Sequence, residues 1–84
     1  LERGEGASVF DLDGNEYLDF CGSWGPLILG HAHPRVIEAV VKASERGLTF
    51  GACNSAEVEM ADLLSRTIPY MEMSRMVNSG TEAV

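Results

Sequence analysis

Glycine and proline interrupt the chain repeatedly between residues 21 and 34, and no other sequence feature constrains the fold as strongly. The interrupting residues are Gly22, Gly25, Pro26, Gly30 and Pro34. Glycine destabilises the interior of a helix or strand, and proline lacks the backbone N–H that a regular element needs. No regular element is therefore expected to run through this segment. The segment also contains Trp24 and Leu27, which are large and apolar. It is therefore either irregular packed core or the wall of a pocket, and the residues leave both interpretations open.

Before this break, polar and apolar residues alternate with a period of two, which predicts β-structure. Two such runs flank Asp13-Gly14, a dipeptide that supplies the positive φ angles of a tight turn. We therefore predict a β-hairpin over residues 7–20. Its acidic residues are Asp11, Asp13, Glu16 and Asp19. One interpretation of these acids is a cation site, but acids on the solvated face and in the turn of a hairpin are the usual arrangement.

After the break, apolar residues recur at helical spacing in two segments. The first segment is predicted to be a helix from Pro34, which suits the first turn of a helix, to Arg46. The second helix is predicted over residues 55–67, because Asn54 and Glu57 resemble a capping box at its start. Both predicted helices have one apolar stripe, so each is expected to bury one face.

The last segment, residues 73–84, is predicted to form a strand, a small polar loop and the start of a helix. Residues 73–77 are short and mostly apolar, as in a buried strand. Ser79, Gly80 and Thr81 follow at a helix N-terminus, where unpaired N–H groups, the helix dipole and two hydroxyls favour an anion, above all phosphate. Many capped helices begin this way without binding anything, so an ordinary cap remains the alternative.

Composition and charge exclude several classes of function. The chain has 6 Lys plus Arg against 13 Asp plus Glu and a net charge of −7, with no basic cluster. We therefore predict no nucleic-acid and no membrane partner, and no apolar run approaches the ~20 residues that span a bilayer. Cys21 and Cys53 lack the spacing of a disulfide framework and predict reduced thiols in a cytosolic setting. His31 and His33 lie two positions apart without an adjoining acidic or cysteine ligand, so we predict no metal site.

Several segments of the sequence stand in an order that is typical of one enzyme family. They are Asp11-Leu12-Asp13-Gly14-Asn15-Glu16-Tyr17-Leu18-Asp19-Phe20, Leu29-Gly30-His31-Ala32-His33-Pro34 and Asn78-Ser79-Gly80-Thr81-Glu82-Ala83. This series resembles the N-terminal region of class III pyridoxal-phosphate aminotransferases. Two more segments are similar to the members of that class that act on glutamate-1-semialdehyde: Gly22-Ser23-Trp24-Gly25-Pro26 and Arg46-Gly47-Leu48-Thr49-Phe50-Gly51-Ala52. The resemblance covers only the early part of such an enzyme, so we expect residues 1–84 to be a single incomplete region.

The resemblance implies an α/β fold, namely the N-terminal portion of a fold type I pyridoxal-phosphate-dependent transferase. It implies an isomerase that converts glutamate-1-semialdehyde to 5-aminolevulinate in tetrapyrrole synthesis, with pyridoxal 5′-phosphate, and its pyridoxamine form, as the cofactor. Ser79, Gly80 and Thr81 would hold the cofactor phosphate, and Trp24 and Ser23 would line the substrate pocket. A homodimer in the cytoplasm, or in a plastid in a plant or alga, is implied as well.

The chain contains a single lysine, which bears on the catalytic machinery. Chemistry with this cofactor needs a lysine amine that bonds to it, and the only lysine of the chain, Lys42, falls near the end of the first predicted helix. We therefore expect the catalytic lysine downstream of Val84 and the 84 residues to be inactive alone. Two alternatives remain open: a class III aminotransferase acting on ornithine-like or 4-aminobutyrate-like amines, and a non-catalytic anion-binding module.

Overall fold

The computed structural model describes all residues of the chain, which divide into two units, Leu1–Leu48 and Thr49–Val84. The first unit opens with a three-stranded antiparallel sheet. Its strands, in sheet order, are β1 (Arg3–Glu5), β2 (Ser8–Phe10) and β3 (Glu16–Leu18). β2 and β3 lie within the predicted hairpin. β1 was not predicted, because Arg3–Glu5 contains neither a β-branched nor an aromatic residue.

The loop between β2 and β3 differs from the predicted Asp-Gly turn, because only Gly14 has a positive φ, of 84°. The Gly14 N–H donates to the Asp11 carbonyl at 3.2 Å. The Asp11 carboxylate accepts the N–H groups of Asp13 at 3.0 Å and Asn15 at 2.9 Å. The loop is therefore a turn closed by an aspartate side chain and followed by one left-handed glycine. The hydrogen bond from the Asn15 side chain contributes most to holding the pKa of Asp11 below its ordinary value.

The first helix, α1 (Pro34–Ser44), ends at Ser44 rather than at the predicted Arg46. The Ser44 hydroxyl donates to the carbonyl of Val41 at 2.7 Å, and the Gly47 N–H donates to the carbonyl of Ser44 at 3.0 Å. The Gly47 N–H thus bonds to a carbonyl three residues back instead of four, as the Arg46 N–H does with Ala43 at 3.1 Å, so the last two predicted residues form a turn. α1 contacts none of the three strands, and its apolar residues are exposed: Val36, Ile37, Val40 and Val41.

The second unit contains α2 (Ser55–Thr67), with the bounds that the sequence predicts, and the short α3 (Gly80–Ala83). The Asn54 side chain accepts the N–H groups of Ala56 at 3.0 Å and Glu57 at 3.3 Å. In return, the Glu57 carboxylate accepts the Asn54 N–H at 3.4 Å. The predicted capping box therefore forms and fixes the start of α2.

The strand predicted at residues 73–77 does not form, since residues 71–77 have no regular secondary structure. A strand requires a hydrogen-bonded neighbour, and the second unit supplies none. No side chain of either unit is fully buried; Ala61, Leu64 and Met71 are among those that are partly covered. None of the helices has the length and apolar character needed to cross a membrane.

Candidate functional site

Asp19 and His31 form a close, largely shielded pair in the first unit. His31 Nε2 lies 2.6 Å from Asp19 Oδ2, and the side chains are 26% and 12% exposed, respectively. The hydrogen bond from His31, aided by those from the N–H groups of Gly22 and Cys21, holds the pKa of Asp19 below its ordinary value. An ionised carboxylate only accepts hydrogen bonds, so Nε2 of His31 carries the proton that it donates. Asp19 is thus not the solvated hairpin acid that the sequence predicts.

A short 3₁₀ turn, Gly22–Trp24, follows Asp19 and carries both predicted substrate-binding residues. Ser23 has φ 55° and Trp24 has φ 62°, so both are left-handed, a conformation that is uncommon for residues with a Cβ. The Trp24 side chain is 91% exposed. The first unit therefore does not cover the indole. The indole is instead available to form a wall against another group.

The loop that ends at His31 is joined to the sheet by its backbone. Gly6 and His31 exchange two hydrogen bonds, Gly6 N–H to the His31 carbonyl at 2.9 Å and His31 N–H to the Gly6 carbonyl at 2.8 Å. A cleft of about 360 Å³ opens beside this junction and is lined by Ala7, Leu27 and His31, among others. Asp19 lines the same cleft, and so does Gly22, the first residue of the turn that carries Trp24.

The predicted phosphate-binding residues Ser79, Gly80 and Thr81 lie at the start of α3 in the second unit. The Ser79 hydroxyl oxygen accepts the N–H of Glu82 at 3.3 Å and caps the helix. The Glu82 carboxylate accepts the N–H of Asn78 at 2.8 Å, so its partner is Asn78 and not Ser79 as a full capping box requires. Ser79 therefore caps the helix, but Glu82 does not return a hydrogen bond to the Ser79 N–H.

The donors at this helix start suit a phosphate group. The backbone N–H groups of Gly80 and Thr81 have no acceptor within the chain. Beyond the neighbouring residues and the backbone of α3, nothing lies within 4 Å of the position that a Cβ on Gly80 would take, so this side of the backbone is open to a ligand. The two free N–H groups, together with the hydroxyls of Ser79 and Thr81, can donate hydrogen bonds to the oxygens of a phosphate group. The residues present fit the phosphate of the cofactor that the sequence analysis implies.

The predicted site residues fall into two groups by position. Ser23 and Trp24 lie together in the first unit, and Ser79, Gly80 and Thr81 lie together in the second. The contact between Asp19 and His31 was not predicted from the sequence. The only signal in the sequence is that a carboxylate lies near the end of the hairpin and an imidazole lies near the end of the glycine-rich segment. Neither residue belongs to a periodic pattern that would place it beside the other.

A comparison with protein families decides the assignment, since the model of the family described as aminotransferase class-III matches residues 1–84. The chain belongs to the class III aminotransferase family. The family resemblance stated from the sequence is therefore confirmed. The match includes both groups of predicted site residues.

Two curated relatives are similar to this class III chain over essentially its whole length. Glutamate-1-semialdehyde 2,1-aminomutase from Acetivibrio thermocellus is 58% identical over 84 residues, which are 100% of this chain and 20% of the relative. Glutamate-1-semialdehyde 2,1-aminomutase 2 from Brevibacillus brevis is 57% identical over 83 residues, 99% of this chain and 19% of the relative. The chain thus spans about a fifth of the length of these relatives.

Solved structures of transaminases share the fold of this class III chain. An omega-transaminase from Sphaerobacter thermophilus matches with a TM-score of 0.91 and 42% identity over 96% of this chain and 18% of its own. A transaminase with PLP bound matches with a TM-score of 0.92 and 44% identity over 98% of this chain and 19% of its own. The predicted fold class, a portion of a fold type I pyridoxal-phosphate-dependent transferase, is confirmed by these matches.

Proposed function

We propose that the full-length protein is a pyridoxal-phosphate-dependent aminomutase that converts glutamate-1-semialdehyde to 5-aminolevulinate. The observation that carries this proposal is the 57–58% identity to two aminomutases across nearly all of the chain. The two transaminase structures are 42% and 44% identical over a similar span. The greater similarity to the aminomutases favours an amino transfer within one substrate over a transfer between two.

Pyridoxal phosphate is the cofactor in this proposal. A solved transaminase with PLP bound matches 98% of the chain at a TM-score of 0.92. When bound, the cofactor supplies an electron sink and an amino carrier. The chain itself offers the open donor set at Ser79, Gly80 and Thr81, so both the family and the local chemistry support this choice.

The start of α3 would hold the cofactor phosphate through donors that the chain leaves free. The N–H groups of Gly80 and Thr81 point out of the first helical turn without an acceptor. The Ser79 oxygen accepts the Glu82 N–H, which leaves the hydroxyl proton of Ser79 free to donate to an anion. The Glu82 carboxylate accepts the Asn78 N–H at 2.8 Å, so it is hydrogen-bonded to the backbone that precedes the turn.

Trp24 and Ser23 would contact the substrate in this proposal. The Trp24 indole is a flat, rigid surface with one N–H donor, and the Ser23 hydroxyl can donate or accept. Such groups orient a small polar substrate and exclude water from one side of it. Lys42 lies in the last turn of α1, where its ammonium compensates the helix dipole, so we assign it no catalytic role.

The proposal is tested by incubating the purified full-length protein with glutamate-1-semialdehyde alone, without any added amine or 2-oxo acid. An aminomutase forms 5-aminolevulinate under these conditions. A class III aminotransferase that works between two molecules forms product only after a second amine or oxo acid is added. A non-catalytic anion-binding module forms no product in either case, and either of these outcomes contradicts the proposal.

A further inference from the structure

We propose that the Asp19–His31 pair is a positioning device that fixes the turn bearing Ser23 and Trp24, an inference that rests on the substrate-binding role proposed above. Neither residue of the pair touches the substrate in this account. Each acts through the turn, and so the pair sets how tightly substrate binds.

The turn needs an external support because its backbone is strained. Gly22, Ser23, Trp24 and Gly25 are all left-handed, with φ of 54°, 55°, 62° and 115°. Residues with a Cβ disfavour this region and adopt it only where the surroundings impose it. Within the turn, the Trp24 N–H donates to the Cys21 carbonyl at 3.0 Å and the Gly25 N–H to the Gly22 carbonyl at 3.1 Å. These two local bonds do not connect the turn to the sheet.

Asp19 supplies that connection at the start of the turn. Its Oδ1 accepts the N–H of Cys21 at 2.8 Å and the N–H of Gly22 at 3.1 Å. Its own N–H donates to the Ala7 carbonyl at 2.8 Å, which places Asp19 beside the sheet. One carboxylate oxygen therefore fixes the direction in which the chain enters the left-handed residues.

His31 fixes the other carboxylate oxygen and is itself held against β1. Its Nε2 is the donor to Asp19 Oδ2, and its backbone is bonded to Gly6 in both directions. A Cβ on Gly4 would lie 2.6 Å from His31 Nδ1, so β1 is in contact with the ring and only glycine leaves room for it there. The contacts thus run without a gap from β1 through His31 and Asp19 to the turn.

The test compares His31→Leu, which cannot donate, with His31→Gln, whose amide nitrogen can reach the position of Nε2. In the full-length protein, His31→Leu is expected to raise KM for glutamate-1-semialdehyde about tenfold with kcat changed less than about twofold. His31→Gln is expected to restore most of this loss. His33→Leu is the matched control, because His33 lies in the same loop and its Nδ1 has no hydrogen-bond partner.

A second readout does not depend on turnover. The near-ultraviolet circular dichroism of Trp24, obtained by subtracting the spectrum of the matching Trp24→Phe protein, reports whether the indole is fixed. We expect this signal in the wild type, His31→Gln and His33→Leu, and its loss in His31→Leu. If the wild type does not act on glutamate-1-semialdehyde, the proposed function fails while this readout still tests the positioning.

The positioning role is overturned if His31→Leu folds and keeps both the KM and the Trp24 signal of the wild type. It is also overturned if His31→Gln behaves like His31→Leu, since the donated hydrogen bond would then be irrelevant. Should His31→Leu not fold, His31→Asn replaces it, because its amide is too short to reach Oδ2. If neither variant folds, the pair supports the fold as a whole and a specific positioning role is wrong.

Discussion

The backbone of Gly30 lies directly against the carbonyl of Gly6. A Cβ on Gly30 would lie 2.7 Å from the Gly6 oxygen, and Gly30 has φ of 79°. Position 30 therefore requires glycine for two independent reasons, the close approach and the left-handed backbone. The contact adjoins the paired hydrogen bonds between Gly6 and His31, so it sets how closely the loop can approach the sheet.

Gly30→Ala is therefore expected to destabilise the full-length protein by about 2 kcal/mol or more. Gly14→Ala is the matched control, because Gly14 has a similar φ of 84° and open space around the added Cβ. The control substitution should lower the free energy of unfolding only by the backbone strain, about 1 kcal/mol. Thermal unfolding of both variants measures the difference, and equal losses would contradict the close contact.

The capping box of α2 gives a second prediction, on stability alone. Asn54→Ala removes the acceptor for the N–H groups of Ala56 and Glu57 and should cost about 1 kcal/mol. Asn54→Ser keeps a capping oxygen and should lose much less. Glu59→Ala, an exposed change within the same helix, serves as the control. Thermal unfolding measures the three variants. If the melting temperature of Asn54→Ala is no lower than that of Glu59→Ala, the cap contributes nothing to stability.

The lowered pKa of Asp19 predicts how stability depends on pH. A carboxyl whose pKa is lower in the folded chain than in the unfolded chain stabilises the fold at pH values above the pKa of the unfolded chain, here 3.8. That contribution is lost as the pH falls through the lower, folded-state pKa. Asp19→Asn retains an acceptor oxygen but cannot ionise. We therefore expect the difference in melting temperature between the wild type and Asp19→Asn to be largest near neutral pH and to shrink below pH 3.8. A difference that stays constant or grows in acid would contradict this assignment.

Elements defined by local contacts could be predicted from the sequence. The start of α2 follows from Asn54 and Glu57, which contact each other across a single helical turn. The strand predicted at residues 73–77 did not form, because a strand depends on a neighbour that an apolar run does not specify. β1 was missed for the converse reason: it is held by its pairing with β2 and not by strand-forming residues.

The candidate site shows the same division between local and non-local information. The donors of Ser79, Gly80 and Thr81 are consecutive residues at a helix start, so the sequence predicts them. The contact between Asp19 and His31 joins two residues twelve positions apart across a segment without periodicity. The left-handed backbone of Ser23 and Trp24 could not be predicted either, since neither residue type favours it.

The most direct test of the account is a titration of pyridoxal phosphate into the cofactor-free full-length protein and its Gly80→Val variant. Beyond the neighbouring residues and the helix's own backbone, nothing lies within 4 Å of a Cβ at this position, so the methyl groups of valine would lie where a phosphate approaches the free N–H groups. Ala83→Val, the same kind of change later in α3, is the control. The account predicts that Gly80→Val raises the Kd for the cofactor about tenfold or more while Ala83→Val and the melting temperature of both variants change little. A wild type that does not bind the cofactor, or a Gly80→Val variant that binds it as tightly as the wild type, would contradict the account.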